Sequence, residues 1–484
     1  MTIADPRTRW LALIVLCLGD LMIVLDGTIV NVALPSIRDD LGFSQESLAW
    51  VVNAYLLTFG GFLLLGGRLG DLFGHRRMFL SGIALFTAAS LACGLATTQG
   101  ALVAARAVQG LGGAIVSAVA LSLIMTLFVE PAERAKAMGV FGFVLSGGGT
   151  AGVLLGGVIT DVLDWHWIFL VNLPVGAAVF ALTLALLPGG PGHATGRVDV
   201  VGAVTVTSSL MLAVYAIVNG NEVGWTTART LGLLGVAAAL MVVFLVLESR
   251  LSAPLMPLGI FRNRNVSSAN VVGVLMAAGM FAYFFLSALY LQEVLGYSPL
   301  KVGLAYLPSM LIWGGSSLFL SDRLVMRLGI KTPLIVGLAL MTVGLLLLAR
   351  APVEGNFLVD VLPATLAVGL GAGIGFNPIL LAAMSGVAPT EAGLASGVVN
   401  TAFMMGGALG LAVLASLAAS RTAELEAAGE GTLAALNGGY HLAFLVGALF
   451  VVASAVVAAV LLRPEAAPAH DHGEPTSEPA TETG

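Results

Sequence analysis

Of the 484 residues in this chain, 58% are hydrophobic and only 10% are charged, against about 45–50% and about 25% in a soluble globular domain. Such a balance excludes a soluble enzyme or a soluble binding domain and points to an all-α protein with many membrane spans. The formal charge of −6 identifies no partner, because the loops that hold Lys and Arg matter more than their sum.

Apolar segments long enough to cross ~30 Å of hydrocarbon at ~1.5 Å per residue fall at 10–33, 48–67, 78–97, 101–128, 138–162, 167–187, 200–218, 231–247, 265–290, 302–320, 333–349, 357–381, 396–417 and 443–462. Fourteen spans put both termini on one side. Fifteen of the 21 Lys and Arg belong to loops on that side, Arg38, Arg229, Lys301, Arg350 and Arg421 belong to the other, and Arg106 lies within a span. This excess predicts cytoplasmic termini and a multi-pass protein of the cytoplasmic membrane. The first apolar run follows Arg7 and Arg9 but is too long for a signal peptide and ends in no small-residue cleavage site, so it reads as a retained helix. Cys17 and Cys93 both fall inside spans, which argues against a disulfide framework.

Two sequence echoes give the domain organisation. Pro131, Glu133, Ala137, Gly139 and Val140 match Pro389, Glu391, Ala395, Gly397 and Val398 at an offset of 258, and the loop around Arg68 and Gly74 matches that around Arg323 and Gly329 at 255. Two six-helix bundles are therefore expected, at 1–187 and 265–462, separated by a Gly- and Pro-rich linker and an inserted helix pair at 188–264. The 463–484 tail, rich in Pro, Glu, Ala and Thr, is expected to be disordered. Its His470 and His472 read as solvated rather than metal-binding.

Asp26 stands in the first span, where an acid costs roughly 2.5–3.5 kcal/mol to insert and is a functional hypothesis by default. It is expected to be charged in one state and neutral in another. Arg106, on the inward-running fourth span, shares its depth; contact would favour the ionised acid, whereas burial alone favours the neutral one. A static pair that fixes packing is the alternative. Asp20 lies ~9 Å deeper and about 120° around the same helix, so it cannot share Asp26's face. It reads as a second proton site, as part of a preference for cations, or as a hydrated acid near the cytoplasmic half. Gly148, Gly152 and Gly156 form a small-residue stripe on the fifth span that lets a neighbour approach. Gly67, Arg68, Gly70, Asp71, Gly74, Arg76 and Arg77 read as a loop with a tight turn, in which Asp71 offers an acceptor to a helix end or an Arg. These charges either latch the loop or only set topology.

The stretch Leu25-Asp26-Gly27-Thr28-Ile29-Val30-Asn31-Val32-Ala33-Leu34-Pro35 resembles the first-helix signature of the fourteen-helix drug:proton antiporters of the major facilitator superfamily, the QacA/EmrB-like group. The loop from Gly67 to Arg77 resembles the superfamily's motif between its second and third helices. Arg106, Gln109, Gly110 and Gly112 resemble the fourth-helix motif, and Trp165 to Phe169 with Asn172 and Pro174 resemble the start of the sixth helix. The resemblance implies a cytoplasmic gate at Arg68, Asp71 and Arg76 and an antiporter motif at Gly148, Gly152 and Gly156. That motif normally has Pro after its central glycine; here the position holds Val153.

A cavity for a flat or lipophilic cation is expected to draw on Asn31, Asn53, Tyr55, Gln109, Phe281, Tyr283, Phe284, Trp313 and Phe403 to Met405. No lysine follows a glycine in a phosphate-binding pattern, the spans hold no metal-ligand cluster of His and Cys, and no folded sensor domain is evident. The expected protein is a proton-coupled efflux transporter of lipophilic, cationic compounds, or a dedicated exporter of one natural product. It is expected to act as a monomer in the lipid bilayer, with a small-molecule substrate, no nucleic acid partner and no cofactor or metal beyond the proton gradient.

Overall fold

The computed structural model describes residues 6–44, 46–128, 130–187, 199–251, 254–385 and 392–463. Among them all regular structure is helical. The linker at 188–198, the tail with His470 and His472, and Pro389 and Glu391 of the sequence echo lie outside the described residues.

The main helices are α1 (Pro6–Leu41), α2 (Trp50–Phe73), α3 (His75–Gly94), α4 (Gln99–Leu127), α5 (Pro131–Val162), α6 (Trp167–Leu186) and α7 (Val200–Val218). They continue with α8 (Ala228–Arg250), α9 (Arg264–Val294), α10 (Pro299–Ser321), α11 (Lys331–Leu348), α12 (Phe357–Met384), α13 (Ala392–Ala427) and α14 (Thr432–Leu461). Among the described residues 13 helices are long and apolar enough to cross a membrane. The fourteenth is α5, whose 32 residues exceed the ~20 a span requires. Polar caps fix several starts: Thr98, Asp199, Thr227 and Ser298 each accept from a backbone N–H of the first turn of α4, α7, α8 and α10, meeting donors that a helix cannot satisfy internally.

Three local expectations are corrected. The Gly67–Arg77 segment is not a loop: Gly67, Arg68, Gly70 and Asp71 continue α2, and the turn is Gly74 alone, at φ +93°. Glycine is needed there because other residues avoid that region. Gly329 takes φ +73° at the matching place after Asp322–Leu328. Arg421, expected in a loop, lies inside α13, which runs on to Ala427. The apolar segment read at 265–290 is also longer than expected: Glu293 sits in the wide last turn of α9.

Within the first six helices α4 packs on α2 and α3, and α1 on α5 and α6; within the last six α9 packs on α13 and α14, and α11 on α12. Helices α7 and α8 pair, with α7 resting on α2 and α13. The two sets of six meet along α5 with α10 and along α2 with α13. Glycines make the first seam: a Cβ on Gly157 would stand 2.7 Å from the Pro299 carbonyl and one on Gly303 2.9 Å from that of Val153.

The start of α1 and the end of α14 lie at one end of the bundle. There Arg9 pairs with Glu133 at 2.9 Å, and Arg264 and Lys331 donate to the carbonyls of Leu461 and Leu462. At the far end Arg38 of α1 pairs with Glu293 of α9, which also accepts from the Tyr440 hydroxyl of α14 at 2.8 Å. Gln292 donates to the Val32 carbonyl at 2.9 Å. These bonds tie the two sets of helices together at that end.

Candidate functional site: a buried charge network

Asp26 and Arg106 are both 0% exposed and form an ion pair at 2.5 Å between Oδ2 and Nη1. Oδ1 of the same carboxylate accepts from Gln109 Nε2 at 2.7 Å and from Asn172 Nδ2 at 2.8 Å. Thus α1, α4 and α6 converge on one carboxylate. The arginine is fixed in turn: Nη1 also donates to Gln109 Oε1 at 2.7 Å, Nε donates to the Val51 carbonyl at 3.0 Å, and the guanidinium lies 4.3 Å from the Tyr55 ring centre. Gln109 donates further to Ser90 Oγ at 2.8 Å, and Ser90 to the Phe86 carbonyl.

Small residues let the helices come this close. A Cβ on Gly110 would stand 2.4 Å from the Tyr55 carbonyl, and one on Gly112 would stand 2.7 Å from the Phe86 nitrogen. The stripe on α5 does the same against α1. Gly148 faces Leu21 and Val24, Gly152 faces Thr28 and the Leu25 carbonyl, and Gly156 faces the Ile29 carbonyl at 2.7 Å. Val153 is buried on this helix. The stripe therefore holds the Asp26 helix against the one that crosses to α10.

Asp20 is 2% exposed, and Ser117 of α4 donates to its Oδ1. Its Oδ2 is buried with no hydrogen-bond partner. The two acids of α1 thus have unlike surroundings: three side-chain donors, one of them cationic, surround Asp26, while one hydroxyl meets Asp20.

The expected cavity residues separate into two groups. Gln109 and Tyr55 do not line a cavity: Gln109 is 0% and Tyr55 4% exposed, because both are enclosed in the charge network. Asn53 is also fully enclosed, with neither amide atom partnered. Asn31 is half-buried and bonds the Gly27 and Thr28 carbonyls of its own helix. On the other side, half-buried Trp313 stacks on Phe284 at 6.1 Å, Phe281 and Phe376 each abut Phe403, and Tyr283 is 1% exposed beside Tyr306. These rings form two aromatic clusters, one across α9 and α10 and one across α9, α12 and α13.

In the Gly67–Arg77 segment Arg76 donates to the Leu184 carbonyl of α6 at 2.6 Å. Gly67 abuts Ala118, and Arg68 is half-buried. The Asp71 side chain lies outside the described residues. Sequence reasoning missed Ser117, Ser90 and the Arg38–Glu293–Tyr440 group; a lone serine carries no signal, and the last three are far apart in the chain.

Comparison with known proteins agrees with this architecture. The family described as the Major Facilitator Superfamily matches residues 16–411. A puromycin resistance protein of Streptomyces alboniger is 41% identical over 487 residues, covering 98% of this chain and 95% of that one. A cephamycin export protein of Amycolatopsis lactamdurans is 37% identical, covering 95% and 93%. The multidrug resistance protein Stp of Mycobacterium tuberculosis is 38% identical, covering 87% and 78%. Among solved structures, a bacterial homologue of the lysosomal transporter Spinster in an inward-facing conformation superposes with a TM-score of 0.65 at 16% identity, covering 94% of this chain and 97% of that one. The nucleoside transporter NupG gives 0.64 at 12%, covering 94% and 100%.

Proposed function

The chain belongs to the Major Facilitator Superfamily, and from that premise we propose that it exports lipophilic, cationic drugs or antibiotics in exchange for protons by alternating access. Relatives named for puromycin resistance, cephamycin export and multidrug resistance support export as the direction of transport. The observation that carries the reading is the fully buried Asp26–Arg106 pair. Apolar residues of the same volume would pack a bundle at no net loss, so a charge network at this depth fits a coupling role. Coupling is assigned to Asp26, Arg106 and Asp20. Proton and substrate can drive the cycle only if they favour different states, and a carboxyl held between α4 and α6 supplies that difference.

The aromatic clusters around Phe281 and Trp313 suit a flat cation, and Arg68, Asp71 and Arg76 with Gly67 and Gly74 suit a gate at the terminal end. The basic residues concentrated there support cytoplasmic termini and a place in the cytoplasmic membrane. It works as a monomer, with the proton gradient in place of a cofactor. A second reading, a dedicated exporter of one natural product, is favoured by the relatives named for single antibiotics.

The reading is tested by expressing the wild type and Asp26→Asn in a host stripped of its own pumps and measuring cellular accumulation of ethidium, puromycin and an anionic penicillin. Lower accumulation of both cations, lost in Asp26→Asn, is the expected result. Protection against puromycin alone selects the dedicated exporter, and unchanged accumulation of all three rejects export.

A further inference from the structure

We propose that Asp20, through Oδ2, holds the exchanged proton, while Asp26 stays ionised against Arg106. This rests on the proton-exchange reading above and divides its labour between the two acids of α1.

The inference starts from hydrogen-bond accounting. An ionised carboxylate accepts only, and its two oxygens offer about four lone-pair positions. Around Asp26 every partner is a donor: Arg106, Gln109 and Asn172. A proton there would leave Arg106 as an uncompensated buried cation, which is the costlier error in an interior. Around Asp20 the accounting reverses. Ser117 supplies one hydrogen to Oδ1, and Oδ2 is buried without a partner.

Ser117 on α4 contacts Asp20, Cys17 lies one turn earlier on its own helix, and Tyr55 on α2 is within electrostatic reach. On the flanking turns α3 presents Phe79 and Ile83 to Gly19, and α5 presents Gly148 to Leu21 and Val24. Among the described residues none that pairs with it is Lys or Arg. A charge without a counterion is the expensive form in such a place, and uptake of a proton on Oδ2 removes it. Two acids held on one helix in unlike surroundings thereby take unlike roles. The proton leaves Oδ2 when α1 and α4 separate and water or the substrate's cationic nitrogen reaches the carboxylate; Asp26 meanwhile keeps Arg106 in register. Exchange then follows from mutual exclusion at one oxygen.

Infrared difference spectroscopy on the full-length purified protein in nanodiscs, titrated with pH and repeated in heavy water, reads the C=O stretch of a protonated carboxylic acid. A band present in the wild type, absent in Asp20→Asn, shifted in Ser117→Ala and restored in Asp20→Glu is the expected pattern. A band that survives Asp20→Asn unchanged overturns the proposal. In proteoliposomes Asp20→Asn is expected to lose ethidium accumulation driven by a pH gradient, and Asp20→Glu to keep it. Accumulation that persists in Asp20→Asn also overturns it. Should the wild type move ethidium without regard to pH, the exchange reading fails, and the infrared band still decides where the proton sits.

Discussion

At the scale of single residues, the fully buried Asp26–Arg106 pair is costly to disturb. Removing one partner of a buried ion pair leaves a bare charge, at roughly 3–5 kcal/mol. Arg106→Ala is therefore expected to lower stability by about that amount, read as a fall in thermal midpoint in detergent, and to abolish transport. Arg106→Lys is expected to rescue neither, because one ammonium cannot reach Asp26, Gln109 and the Val51 carbonyl together or lie over Tyr55. A stability within about 0.5 kcal/mol of wild type in either variant would contradict the network. The pair was legible in the sequence because two spans of opposite direction place Asp26 and Arg106 at one depth. Ser117 was not, since nothing about a serine in a span says which acid lies opposite.

At the scale of helices, glycine spacing decides which surfaces touch. Gly152→Ala would set a Cβ 2.9 Å from the Leu25 carbonyl, and a backbone atom cannot rotate away. Overpacking of this kind costs about 1–3 kcal/mol, so Gly152→Ala is expected to destabilise the fold and slow transport. Gly149→Ala on the same helix meets nothing within 4 Å and is expected to be neutral or to stabilise by up to about 1 kcal/mol through lower chain entropy. Equal effects on the thermal midpoint would reject the α1–α5 contact as the stripe's purpose. The stripe was readable from its spacing of four, but which helix it meets was not, because small residues mark close approach without naming the partner. Helix ends were the weakest reading: Arg68 and Asp71 were assigned to a loop on composition, whereas α2 continues to Phe73 and Gly74 alone makes the turn.

At the scale of the whole molecule, the Arg38–Glu293–Tyr440 group joins three helices at the far end. A hydrogen bond to a charged group contributes about 1.5–3 kcal/mol, enough to shift a two-state population at least about tenfold. Glu293→Gln is expected to open that end, read as a longer distance between spin labels at Ser44 and Glu354, one on each side of the seam. An unchanged distance distribution would show that the α5–α10 and α2–α13 seams set the state without the latch. The sequence revealed the number of spans through hydropathy and basic-residue placement, but not this closure, because the pairing partners are separated by 255 positions.

The central claim is that the two buried acids of α1 couple protons to export, Asp20 by carrying the proton and Asp26 by holding Arg106 in register. Proteoliposomes with a lumen more acidic than the bath, given external ethidium, test it directly. The wild type is predicted to concentrate ethidium in the lumen until a protonophore collapses the gradient, and Asp26→Asn to concentrate none. Accumulation by Asp26→Asn equal to wild type, or accumulation that the protonophore leaves intact, would contradict the account.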